Sequence, residues 1–259
     1  MENKLHLHFV SIIIVLLITA VSKAQYRIIN DNDGFVNVRK TPGTSGAVIC
    51  RLLNGVMVRE SGVADTIHKN WIPVEFYLPK DIARQIKFKP ESAQEYPASK
   101  VMTGHLLFTG YIHKDRLINI HEQQQLTMDR SRGVFVLYND SINVIIDDAA
   151  FEEGKHKIGK EGNFVEKIDG HYFVGSDGEV PRYEFKTFSV RIGSQKINIP
   201  KTSYYDLYEP NLNNFTSGFV YKQTLYVIMH NSDGAGTYDV VFIFKNKKYI
   251  GRYVFDGEC

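Results

Sequence analysis

The chain has 259 residues, 43% of them hydrophobic and 12% aromatic, with 31 Lys and Arg against 29 Asp and Glu. So apolar and aromatic a composition excludes a disordered or fibrous chain. A formal net charge of +2 excludes the one-signed basic field of a nucleic-acid binder.

In chain order, the first segment differs from the rest. Phe9 to Val21 is an uncharged run of thirteen residues, short of the ~20 that span a bilayer. Ser22-Lys23-Ala24 then puts small residues at the two positions a signal peptidase reads. We expect residues 1–24 to be a signal peptide, cleaved after Ala24, so that the protein is exported to the periplasm or secreted. No membrane insertion is expected after cleavage, and Gln25 stands where a lipid anchor would need Cys. Lys4, Lys23 and Glu2 leave with the peptide, and the mature chain is nearly neutral. Cys50 and Cys259 are the two thiols. An oxidising compartment allows them to pair if their Cα atoms come within about 7 Å. The alternative, Cys50 as a small buried hydrophobe beside Ile49 and Leu52, is the one we favour.

From Tyr26 to about Leu117 short strands alternate with turn residues. Arg27–Asn30 starts a strand, Asp31-Asn32-Asp33-Gly34 is a turn cluster, and Phe35–Arg39 alternates at period two. Val48–Leu53 and Val56–Val58 follow on either side of Asn54-Gly55, and Trp71–Phe76 is the next strand. Pro73 predicts an edge position for it, because proline cannot donate to a ladder. Five short strands with tight turns predict a small barrel.

These residues resemble the bacterial SH3-like domain of exported and cell-wall proteins. The resemblance rests on DGFVNVRKTPGTSGAVICRLLNGVMV, then NWIPVEF, then GYIHKDRL, with Gly34, Val36, Asn37, Val38, Arg39, Gly55, Trp71, Gly110, Tyr111 and Ile112 in register. It covers about a third of the chain, residues 26–119. It implies a small barrel whose ring-lined groove recognises a cell-envelope ligand, either a cell-wall peptide or an envelope protein. Trp71, Tyr111 and His113 are the implied surface contacts. The chain departs from the family at Tyr77–Thr109, 33 residues where a short turn is usual. An insertion this long in a compact domain suggests a role, and we expect residues 77–109 to cover or replace the groove.

Residues 120–132 are polar and read as a linker. From residue 133 to the end the strand pattern resumes, with about nine strands, which predicts an antiparallel β-sandwich or open barrel. The fold class is therefore all-β, a small SH3-like barrel followed by this second domain at 133–259. Tyr226–Met229 and Val240–Phe244 are apolar on both faces, which predicts central strands covered on each side. One helix is expected, Lys201–Glu209, with Pro210 as its stop. It would put Tyr204 and Tyr208 on one face as exposed rings able to stack on sugar or peptide. Ser-Asp-Gly occurs twice, at Ser176 and Ser232.

Motifs for chemistry mostly fail. Proteins with such a first domain often carry a cysteine peptidase or amidase, which needs a thiol activated by histidine. Neither Cys50, within strands, nor Cys259, at the terminus, suits that. His121-Glu122 begins H-E-x-x-H but ends in Gln125, so a helical zinc pair is missing. Asp31-Asn32-Asp33-Gly34 fails as a calcium loop, since Phe35 and Pro42 occupy ligand positions. Gly234-Ala235-Gly236 precedes a strand, not the helix N-terminus a phosphate loop needs. No catalytic residue, metal or cofactor is predicted. The candidate ligand-binding residues are Trp71, Tyr111, His113, Tyr204, Tyr208, His230 and Asp233. The first expectation is an exported, non-catalytic binding protein. Alternatives are an envelope hydrolase with its site around His230, Asp233 and Asp239, and an inhibitor or immunity-type protein that acts through 77–109.

Overall fold

A computed structural model describes residues 25–61, 67–88, 97–130 and 134–257. The expected signal peptide and Cys259 lie outside the described residues. The fold is all-β, a curled half-barrel sheet followed by further antiparallel sheets.

The first sheet contains β1 (Tyr26–Ile29), β2 (Phe35–Arg39), β3 (Val48–Leu53), β4 (Met57–Glu60), β5 (Trp71–Pro79), β6 (His105–His113) and β7 (Leu117–Asn119). Their spatial order is β3-β2-β6-β5-β4-β1-β7. The period-two pattern of β2 places Val36 and Val38 inside and leaves Phe35, Asn37 and Arg39 on the outer face. Val36 and Val38 join Ile49, Leu52, Val74, Phe76, Phe108 and Ile112 in the barrel core. The curl brings β6 against β2 at Gly110. A Cβ there would lie 2.5 Å from Val38 Cγ1 and 3.0 Å from the Arg39 carbonyl oxygen, so only glycine lets the strands approach. β5 lies inside the sheet, not at its edge as Pro73 suggested. The last β4–β5 pair is Glu60 with Val74. Pro73 falls just beyond it, offering only its carbonyl, which accepts from the Ser61 backbone N–H at 3.0 Å.

The segment expected to be a linker contributes a strand to each of two sheets. After a 3₁₀ turn at Ile120–Glu122 come β8 (Gln124–Gln125) and β9 (Thr127–Asp129), with Leu126 buried between them. Both are edge strands with solvent-facing side chains, and this is what makes the segment look polar.

Then follow β10 (Phe135–Tyr138), β11 (Ile142–Ala150), β12 (Ile158–Glu161), β13 (Phe164–Ile168), β14 (His171–Tyr172), β15 (Tyr183–Ile192), β16 (Gln195–Ile197), β17 (Thr216–Tyr221), β18 (Thr224–Asn231), β19 (Tyr238–Lys245) and β20 (Lys248–Asp256). The outer sheet runs β16-β15-β11-β10-β9, the middle sheet β20-β19-β18-β17-β8, and β12-β13-β14 form a small third sheet.

The middle sheet is covered on both faces. On one, Phe242 and Phe244 meet Phe188 of the outer sheet. On the other, Tyr253 and Phe255 pack against Tyr77, and Tyr226 donates its hydroxyl to the Gly55 carbonyl, both from the first sheet. This three-layer order accounts for the two-sided apolar strands β18 and β19. One apolar cluster runs through it, from Tyr26, Ile28, Met57 and Tyr77 to Val144 and Phe188.

Residues 77–88 and 97–109 take part in this docking. Tyr77–Pro79 and His105–Thr109 are arms of one hairpin, paired from Tyr77 with Leu107 to Pro79 with His105. Between them lie α1 (Lys80–Ala83) and α2 (Pro97–Val101). α2 packs on β20, where the Ala98 N–H donates to Asp256 Oδ1 at 3.1 Å. The hairpin carries buried Tyr77, Ala98 and Val101, and their apolar area is satisfied against the middle sheet.

The expected helix Lys201–Glu209 is not formed. A 3₁₀ turn at Lys201–Ser203 stops at Tyr204, and Leu207 and Tyr208 bridge to Val174 and Glu184. Thr, Ser, Tyr and Asp are weak helix formers, and Asp206 is instead held by Arg252 in two parallel 2.6 Å hydrogen bonds.

Candidate functional site: the Trp71 cleft

β2, the turn before it and the ends of β5 and β6 enclose an open cleft of about 560 Å³. Its floor is the outer face of β2, with Phe35, Asn37 and Arg39. The register pairs Trp71 with His113, and their rings meet edge to face at 5.5 Å. Phe35 carries the Arg51 guanidinium on its ring, 4.6 Å from the centroid.

The rest of the cleft is charged with both signs and fixed in place. Asp31, 6% exposed at its side chain, pairs with Arg116 at 2.8 Å and accepts from the Asp33 N–H at 2.9 Å. Asn54 bonds both backbone groups of Asp31, accepting at 2.8 Å and donating at 2.7 Å. This locks the turn that the cluster of Asp and Asn predicts. Arg39 donates to the Gly46 carbonyl at 2.6 Å, and His113 Nδ1 stands 3.6 Å from the Asp115 carboxylate. Asp33 and Asp115 complete the lining. Such a site offers an aromatic wall, two outward carboxylates and two immobilised guanidinium groups. It suits a short ligand bearing charges of both signs.

Of the residues expected from sequence, Trp71 and His113 line this cleft. Tyr111 is adjacent in β6, paired with Arg39 and Pro73, and is not part of the lining. Tyr204 and Tyr208 are not exposed stacking rings. Tyr204 packs against Phe185 and Phe188, and Tyr208, 3% exposed, lies between Phe151 and Phe173. Phe35, Asp33 and Arg116 were not foreseen, although the outward phase of β2 marks Phe35 in the sequence.

His230 and Asp233 belong to different places. Asp233 borders a second cleft of about 310 Å³, where the two Ser-Asp-Gly stretches face each other. There the Ser232 hydroxyl donates to the Gly175 carbonyl at 2.8 Å, and buried Glu209 is held by Arg182 at 3.2 Å. His230 lies on the face of the middle sheet turned to the first sheet, its Nδ1 donating to Asp239 Oδ1 at 2.6 Å. The other Asp239 oxygen accepts from the Tyr26 hydroxyl at 2.8 Å and lies 3.8 Å from Arg59. Burial holds the Tyr26 hydroxyl well above its ordinary pKa of 10.0, with the charge of Asp239 adding to the shift, so Tyr26 stays a donor. A hydrolytic triad would need a nucleophilic hydroxyl or thiol on the imidazole. Among the described residues the His230 ring hydrogen-bonds Asp239 alone. Asp239 is thus a buried junction between layers.

Among the described residues no group of three or more His, Cys, Asp or Glu is placed to hold a metal ion, and no helix is long and apolar enough to cross a membrane. No family model, curated protein or solved structure matches the chain.

Proposed function

We propose that this is an exported, non-catalytic binding protein whose first sheet, read as an SH3-like domain, holds a cell-envelope ligand in the Trp71 cleft. One observation carries the reading. The partly exposed Trp71–His113 pair borders a cleft that holds carboxylates and fixed guanidinium groups together. A peptidoglycan peptide carries both free carboxylates and amines on a short extended chain, which suits that arrangement. The middle sheet, which packs against the first through Tyr77, Tyr253 and Phe255, then serves as a platform backed by the outer sheet.

Retention on purified sacculi tests this with the mature chain, residues 25–259. Trp71→Ala should lose most of the retention, whereas Asp233→Ala, in the other cleft, should keep it. Equal retention by both variants and the parent overturns the assignment to this cleft. Release of soluble muropeptides by the parent chain overturns the non-catalytic reading.

A further inference from the structure

The ends of β18 are chemically opposite. At its Asn231 end lies the cleft with Asp177, Glu179 and Asp233, and at its Thr224 end lies another of about 560 Å³ whose charged lining residues are lysines. Here the outer and middle sheets splay apart at their hairpin turns. Each contributes one cross-strand aliphatic pair, Ile142 with Ile192 and Val220 with Leu225. Lys222 and Lys247 stand at the rim, and no Asp or Glu lines the cleft.

Both lysines sit on backbone that glycine would adopt more readily. Lys222 has φ 53° and Lys247 φ 58°, in two-residue turns where left-handed residues are required. Among the described residues neither makes an ion pair. Lys222 Nζ reaches only the neutral Asn30 Oδ1, at 3.3 Å, and rests 5.0 Å from the Tyr221 ring centroid. Neither cation has a carboxylate partner, and Lys222, which rests toward the first sheet beside Asn30, can swing on its flexible stem to join Lys247 above the four aliphatic side chains, an arrangement that complements a ligand anionic at one end and apolar at the other.

We propose that this end of the sandwich binds a linear aliphatic carboxylate, its tail between the two sheets and its headgroup between Lys222 and Lys247. The site is independent of the Trp71 cleft. Each methylene that enters should tighten binding by up to about fourfold.

The test is a titration of octanoate into the mature chain carrying labelled Ile, Leu and Val methyl groups, with butyrate and octanol as comparators. Octanoate should shift the methyls of Ile142, Ile192, Val220 and Leu225. Butyrate and octanol should each bind at least about tenfold more weakly. Lys222→Gln/Lys247→Gln, with an unchanged melting temperature, should weaken octanoate about tenfold and leave octanol unaffected. If that variant does not fold, the salt dependence of octanoate binding by the parent replaces it, with weakening at high salt expected and no change overturning the headgroup assignment. The proposal is overturned if none of the four residues shifts at about 10 mM octanoate, if octanol binds as well, or if the folded variant binds octanoate like the parent.

Discussion

Tyr26, on β1, donates its hydroxyl to Asp239 Oδ2 at 2.8 Å across 213 positions of sequence. That bond joins the first strand of the half-barrel to the middle sheet, and it is one of several of its kind. The Tyr77 hydroxyl donates to the Val254 carbonyl at 2.7 Å, and Arg59 donates to the Asp256 carbonyl. Val254 and Asp256 lie on β20, an edge strand whose outward carbonyls would otherwise invite pairing with another chain. The first sheet therefore caps the middle sheet's edge with side chains.

Tyr26→Phe removes one donor from a buried carboxylate and leaves its ring packing intact. We expect a loss of about 1–3 kcal/mol, the usual consequence of an unsatisfied buried acceptor. Urea unfolding of residues 25–259 measures it, and an unchanged midpoint would show that Asp239 does not need this bond.

Arg59 is a larger element of the same junction. It bonds the Glu75 carboxylate through Nε at 2.9 Å, lies 3.8 Å from Asp239 and stacks over Phe255 at 4.8 Å. Arg59→Met keeps much of the apolar stem but strands two acids, and should cost about 3–5 kcal/mol. Because one apolar cluster crosses the layers, the parent should unfold in a single calorimetric transition. Two separated transitions would contradict the continuous core.

Burial raises the Asp256 pKa above its ordinary 3.8, against the Ala98 N–H and Arg59, which lower it. The native state then holds this proton more tightly than the unfolded chain. Stability from this group is full below pH 3.8 and falls as pH rises through the native pKa. Asp256→Asn keeps an oxygen for the Ala98 N–H and should remove that decline. Stability–pH curves of the two proteins compare directly, and parallel curves would refute the assignment.

Cys50 packs against the barrel core, and burial pushes its thiol pKa up to about 12. In a Cys259→Ser variant, iodoacetamide at pH 8 should modify the native thiol about a thousandfold more slowly than the unfolded one, in proportion to thiolate. Equal rates would mean that Cys50 is exposed.

The strands were legible wherever one face meets water. β2 follows its alternation, and β3 keeps its expected bounds, Val48–Leu53. Two-sided apolarity in β18 and β19 announced covered strands, but not that the second cover is the first sheet. That depends on Tyr26, Tyr77 and Phe255 meeting in space. β8 and β9 were hidden because edge strands of two and three residues are too short to show a period. The Lys201–Glu209 helix failed because the Arg252–Asp206 pair, 46 positions apart, outweighs a weak local preference. In the Trp71 cleft, Trp71 and His113 are residues that the resemblance singles out, whereas Arg116 and Asp31 come together only through the fold.

Trp71 is the one tryptophan of the chain, so its fluorescence reports on the cleft without labelling. Titration of a soluble peptidoglycan stem peptide into residues 25–259 should change Trp71 emission saturably. Arg116→Ala, which frees Asp31 and removes a fixed cation, should weaken the response. No change in emission at millimolar peptide, with no heat of binding by calorimetry, would contradict the claim that this cleft is where the protein meets the cell envelope.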